Sequence, residues 1–239
     1  MKKTTKLFTF ILCLLIGIFV AFSSNVKALE LSNYDSISAL YKQAKKDNII
    51  SNNLTATLTD QNGNVIKIPV YELKPKFALQ SIDNSYTTTC IVGLNEKLFS
   101  DSTSIKPFGS ITVEDDDGTY VYAKLTITYT KLNATASSPA RYLLTKVSGS
   151  WTVKTYQINL ANIRVAYACQ SIFTNAQYKY PTGDSFSYNT GYSNYVYDAA
   201  GAIVGAQMNV TVKRGTGSWQ FDVYNNVVDQ VPGLNDFFS

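Results

Sequence analysis

Apolar and polar residues alternate strictly along a segment near the middle of the chain, and this pattern restricts the fold more than any other feature. Every second position of residues 119–130 is apolar, in the series Val121, Ala123, Leu125, Ile127 and Tyr129. Residues 203–213 show the same period. Because successive side chains of a strand point to opposite faces, each segment is predicted to form a strand with one core face and one solvated face. The pattern therefore predicts antiparallel sheets.

Further segments have the composition or alternation of strands. They are residues 54–60, 65–71, 86–94, 110–113, 141–147, 151–158, 163–173, 185–189, 195–197 and 218–224. The 17 tyrosines against two methionines are typical of sheets rather than helices. Asn62-Gly63 predicts a tight hairpin between the first two segments, and Pro69 places the second of them at a sheet edge. Many short strands at this spacing predict an all-β fold, an antiparallel β-sandwich over residues 51–239.

The tripeptide Gly-Ser-Trp occurs twice, each time with a tyrosine five residues after the tryptophan, in residues 149–156 and 217–224. One interpretation is a hairpin exit in a single β-sandwich region. The other is a duplicated module, which would divide the region into two small β subdomains near residues 161–182. In both, the odd offset puts the tryptophans in the core and leaves Tyr156 and Tyr224 outside.

One helix is predicted near the N-terminus. Ile37, Leu40, Tyr41 and Ala44 recur at helical spacing. We expect residues 29–50 to be an N-terminal helical segment with one short amphipathic helix that packs against the sheet or frays from it.

The first residues have the form of an export signal. Lys2, Lys3 and Lys6 precede an apolar run at residues 7–22, and Val26-Lys27-Ala28 is a small-residue cleavage site. The run is shorter than the roughly 20 residues that cross a bilayer. We expect residues 1–28 to be a cleaved signal peptide, compatible with bacterial export, and the mature protein to be secreted and extracellular without a stable membrane anchor.

Charge argues against a nucleic-acid partner. Lys2, Lys3, Lys6 and Lys27 account for the whole net charge of +4, so the mature chain has 17 basic and 17 acidic residues. Binding of phosphates requires clustered Lys and Arg. We therefore expect no nucleic-acid binding.

The chain contains no histidine. This excludes Ser-His-Asp triads, Cys-His peptidases and His-x-x-x-His zinc sites. A glycosidase that needs only two carboxylates remains open, but the acidic cluster at residues 114–117 is typical of a solvated turn. We expect no catalytic residues, no metal and no cofactor, and thus a protein that is not an enzyme.

Two cysteines remain after the predicted cleavage, Cys90 and Cys169, both in strand-like segments. Export permits a disulfide between them. Two separate buried thiols are the alternative.

The most suggestive segment for function is rich in tyrosine, and the candidate ligand-binding residues are Tyr178, Tyr180, Tyr188, Tyr192, Tyr195 and Tyr197. Tyrosine combines a flat apolar face with a polar tip and has little rotamer entropy to lose. Several such rings exposed together would suit stacking on sugars or contact with a protein.

These observations favour a secreted, non-enzymatic binding protein that recognises an extracellular glycan, the cell wall or a surface protein through the tyrosine-rich segment. A membrane-active β-rich toxin is one alternative, since amphipathic strands such as residues 119–130 could refold into a barrel. A carboxylate-dependent glycosidase is the other.

Overall fold

The structure is a computed structural model that describes residues 37–47, 54–73, 84–100, 118–171 and 176–229. Two compact units are distinguished, residues 1–39 and residues 40–239. Only residues 37–39 of the first unit are described. The predicted signal peptide, the strand at 110–113 and the acidic cluster at 114–117 lie outside the described residues.

The described residues form two helices and twelve strands: α1 (Ile37–Asp47), β1 (Leu54–Thr59), β2 (Val65–Lys67), β3 (Tyr71–Leu73), β4 (Ser85–Asn95), α2 (Lys97–Ser100), β5 (Thr119–Leu132), β6 (Arg141–Val153), β7 (Ile158–Gln170), β8 (Gln177–Lys179), β9 (Ser185–Asn189), β10 (Val196–Tyr197), β11 (Ile203–Arg214) and β12 (Gly217–Asp229). They form two sheets, and every described strand pair is antiparallel. The first sheet has the order β2-β1-β12-β11-β7-β8, and the second has the order β10-β6-β5-β4-β3, with β9 also paired to β6. The prediction of an all-β, antiparallel sandwich is confirmed.

The core lies between the inner faces of the two sheets. Val121, Ala123, Leu125 and Ile127 of β5 are all fully buried, as the alternation predicts. The rings of Trp151 in the second sheet and Phe221 in the first meet edge to face, with centroids 5.5 Å apart. A division near residues 161–182 would cut β7 and separate β1 from its partner β12.

The prediction of one strand over residues 65–71 is wrong. Ile68 N–H still donates to the carbonyl of Ala56 in the first sheet, at 2.9 Å. Pro69 has no N–H to donate, so the pairing stops there. The chain then enters the second sheet as β3, and both β2 and β3 are edge strands.

The predicted break between residues 147 and 151 is also wrong, because β6 runs through Gly149. A Cβ on Gly149 would lie 2.6 Å from the Phe186 ring and 2.7 Å from the carbonyl oxygen of Lys124. Glycine at this position lets the Phe186 ring and the neighbouring strand pack closely against β6, and it does not mark a turn. Only the second Gly-Ser-Trp, at the start of β12, follows a hairpin turn.

The outer face of the first sheet is buried at its centre. This corrects the expectations that Tyr224 lies outside and that the polar face of residues 203–213 is solvated. Tyr224 is buried rather than outside, and its hydroxyl accepts a hydrogen bond from Gln207 Nε2 at 3.1 Å. Gln207 and Asn209 of β11 are also buried and both donate to the Asp222 carboxylate. These polar side chains tolerate burial because they bond one another.

Helix α1 packs on the outer face of the second sheet. The Tyr41 ring lies 5.6 Å from the ring of Tyr71 and 5.4 Å from that of Tyr122, measured between centroids. Gly93 lies beneath it, where a Cβ would be 2.8 Å from Tyr41 Cζ. The expected amphipathic helix therefore packs against a sheet.

Candidate functional site

The tyrosine-rich segment follows one side of the sandwich. Residues 177–198 leave the first sheet at β8 and join the second at β9 and β10. We call this segment the tyrosine side. Tyr178 is on β8, Tyr188 on β9 and Tyr197 on β10, and the remaining three tyrosines are in the connections.

Two of the six candidate tyrosines face the core. The Tyr188 ring is near parallel to that of Tyr167 and packs 5.6 Å from Phe186. The Tyr192 hydroxyl donates to the carbonyl oxygen of Tyr167 at 3.1 Å. Burial raises the pKa of Tyr192 to about 12. These contacts stabilise the fold, and they leave the Tyr188 and Tyr192 rings unavailable for a ligand to stack on.

Three of the six candidates present their rings to solvent. Tyr178 is 44%, Tyr180 70% and Tyr197 43% exposed. Tyr195 is half-buried. The Arg141 guanidinium lies 5.4 Å from the centroid of the Tyr197 ring, and such a contact orients an exposed ring. The tyrosine side thus offers three rings rather than six.

The two cysteines are separate, buried free thiols, and the alternative of a disulfide between Cys90 and Cys169 is not formed. Burial raises the pKa of the Cys90 thiol to about 12. Cys169 Sγ accepts a hydrogen bond from the backbone N–H of Leu144 at 3.4 Å. Protonated, enclosed thiols of this kind are unreactive.

A second candidate site, which the sequence did not suggest, is a cleft at one end of the sandwich. It lies where β5 and β12 end and β1, β4 and β6 begin. We call it the end cleft; its volume is about 200 Å³, and its lining residues are Leu54, Glu72, Thr88, Tyr129, Lys131, Tyr142, Asn226 and Val227. Both sheets contribute to it, so a ligand here would contact the edges of the core.

Aromatic rings form one wall of the end cleft. Tyr86 stacks on Tyr129 with centroids 5.7 Å apart and an interplanar angle of 18°. Tyr86 is 36% exposed, so its ring is open to solvent. The Lys131 ammonium lies 5.5 Å from the centroid of Tyr142.

Two opposite charges border the end cleft. Burial raises the pKa of the Tyr129 hydroxyl, and the Glu72 carboxylate acts in the same direction. The Lys131 ammonium acts in the opposite direction. Both charges are therefore near enough to Tyr129 to act on it. Within the described residues they form no ion pair with each other, since the one ion pair seen there joins Arg214 to Glu96.

Sequence reasoning missed the end cleft because its lining comes from six strands and forms no motif. One signal was present. Lys131 continues the series of alternate positions that ends at Tyr129, so it is a charged residue at a core-facing position. Glu72 is also a charged residue at a core-facing position, because it lies opposite Cys90, whose side chain is in the core.

Glu72 is the single carboxylate among the residues that line the end cleft. Across the described ranges, His, Cys, Asp and Glu form no group of three that could hold a metal ion. Nor does any described helix have the length and apolar character to cross a membrane.

Comparison with known proteins gave no match: no family model, no curated sequence and no solved structure is significantly similar to this chain.

Proposed function

We propose that the protein is exported and acts without catalysis, binding an extracellular glycan, a cell wall or a surface protein through the tyrosine side. The observation that carries this proposal is the exposure of Tyr178, Tyr180 and Tyr197 on one segment of the chain. Tyrosine rings with this much exposed surface give large contact areas at low entropic cost when a partner covers them.

Export and the absence of catalysis are part of the same proposal. The lysines and apolar run before residue 28 support export. The lack of histidine throughout the chain, and the single carboxylate at the end cleft, support a binding role over hydrolysis.

A sedimentation assay tests the proposal. Purified protein is mixed with insoluble glycans, isolated bacterial walls or intact bacterial cells, and the bound fraction is measured after pelleting. We expect pelleting with at least one material. Replacing all three exposed rings, Tyr178→Ala, Tyr180→Ala and Tyr197→Ala together, should weaken it by roughly tenfold or more, since each stacked ring contributes about 0.5–1.5 kcal/mol beyond its area.

Tyr156→Ala is the matched control. Tyr156 is 93% exposed, yet it lies on the turn between β6 and β7 and is not part of residues 177–198. Its loss should leave pelleting unchanged. Absence of pelleting on every material, or equal pelleting by the triple variant, would refute the proposal. Leakage from liposomes in the same preparation would instead favour the membrane-active toxin.

A further inference from the structure

We propose that the end cleft is a binding site for a small zwitterion, a molecule that carries one ammonium and one carboxylate group. The inference does not rest on the proposed function of the tyrosine side, because it concerns a different part of the molecule and a different class of ligand.

The charges of the end cleft carry the argument. Glu72 and Lys131 are both half-buried, line the same space and do not pair with each other. Lys131 contacts the Tyr142 ring but forms no ion pair within the described residues. A ligand group of opposite sign relieves the cost of partly desolvating each charge. An ammonium group complements Glu72, and a carboxylate complements Lys131.

A ligand with a single charge fits the end cleft less well. An anion attracted by Lys131 would meet the Glu72 carboxylate, and a cation attracted by Glu72 would meet the Lys131 ammonium. Like charges in a site of reduced dielectric repel strongly. Only a ligand with both signs gains from both residues, and this gives selectivity against simple ions.

The size and the lining of the end cleft restrict the size of the ligand and the character of its uncharged part. A volume of about 200 Å³ accommodates a molecule of amino-acid size. Leu54, Val227 and the Tyr142 ring offer apolar contact to a short carbon chain, while the Thr88 side chain already hydrogen-bonds that of Tyr129. The expected ligand class is therefore a free amino acid with its ammonium and carboxylate groups unmodified.

Titration calorimetry on the whole purified protein tests this inference. The probes are glycine, β-alanine, γ-aminobutyrate and ε-aminocaproate, whose charges are progressively farther apart, together with L-leucine. Each probe is compared with its N-acetyl derivative, which lacks the ammonium, and its methyl ester, which lacks the carboxylate. We expect saturable binding of at least one unmodified probe and loss of binding for both of its derivatives.

Two variants locate the site. Glu72→Gln and Lys131→Gln should each weaken the unmodified probe by roughly tenfold or more, the effect of losing one charge-assisted hydrogen bond. Lys131→Arg keeps the charge and should retain most of the affinity. The matched controls are Lys124→Gln, on the other face of β5, and Asp184→Asn, an exposed carboxylate before β9, and both should bind like the native protein.

Thermal unfolding of each variant distinguishes a loss of binding from a loss of fold. We expect the variants to fold, since Glu72 and Lys131 are half-buried rather than fully buried. Three results would overturn the inference: no binding of any probe at millimolar concentration, equal binding of a probe and its derivatives, or unchanged affinity in both Glu72→Gln and Lys131→Gln.

Discussion

Asn225 joins the two sheets through a single buried amide. It follows the buried side chains of Trp219, Phe221 and Val223 along the core face of β12. Its Nδ2 instead donates to the backbone carbonyl oxygens of Thr88 at 3.0 Å and Leu125 at 3.1 Å, in the opposite sheet. These bonds link β12 of the first sheet directly to β4 and β5 of the second.

Replacing this amide should destabilise the fold. In Asn225→Leu both carbonyl oxygens lose a donor inside the core, so we expect the free energy of unfolding to fall by about 1–3 kcal/mol. Equilibrium unfolding in urea measures the change. Asn189→Leu, at the exposed end of β9, is the control and should differ little from the native protein. An unchanged midpoint for Asn225→Leu would show that the inter-sheet bonds contribute no net stability.

At the scale of elements, the attachment of α1 depends on the absence of a side chain at Gly93. A Cβ there would lie 2.8 Å from Tyr41 Cζ and 3.1 Å from Thr119 Cγ2, both closer than normal packing allows. We expect Gly93→Ala to displace the Tyr41 ring and loosen the helix while the sheets remain, at a cost of roughly 1–3 kcal/mol.

Limited trypsin digestion measures this loosening, because Lys42, Lys45 and Lys46 lie on α1. Cleavage at these lysines should be faster in Gly93→Ala than in the native protein. Gly183→Ala is the control, since a Cβ at Gly183 meets no atom within 4 Å. Equal cleavage rates in the two variants would mean that the contact with Tyr41 does not hold the helix in place.

The sequence predicted where the strands lie better than it predicted which strands pair and which faces are covered. Strict alternation located β5 and β11 because it reports directly which face of a strand is apolar. It does not report what lies on the other face, so the burial of Tyr224 was missed. Nor does it show which strand pairs with which, and this is why residues 65–71 were expected to stay in one sheet.

The candidate site was predicted less well for the same physical reason. A tyrosine in a strand can fill the core or face solvent, and its identity alone does not decide between them. Tyr188 and Tyr192 pack inward against Tyr167, whereas Tyr180 remains exposed. The end cleft depends on residues from 54 to 227 being brought together by pairing, which no local pattern encodes.

At the scale of the whole molecule, the buried thiols make the free energy of unfolding decrease at alkaline pH. Burial raises the pKa of Cys90 from 9.0 to about 12. Burial also raises the pKa of Cys169. The folded state therefore holds the thiol proton more tightly than the unfolded state, which releases it near pH 9. The stabilisation is complete below that pH and is lost as the pH rises toward about 12.

Chemical unfolding at a series of pH values tests this dependence. Between pH 9 and about 12 the free energy of unfolding should fall by about 1.4 kcal/mol per pH unit on account of Cys90. Cys90→Ala should be less stable below pH 9, because it leaves a cavity, yet its stability should fall less steeply above pH 9. Tyr192→Phe separates the contribution of the buried phenol, whose pKa is raised from 10.0 to about 12 and which acts only above pH 10. If Cys90→Ala and the native protein lose stability at the same rate above pH 9, deprotonation of the Cys90 thiol does not drive alkaline unfolding.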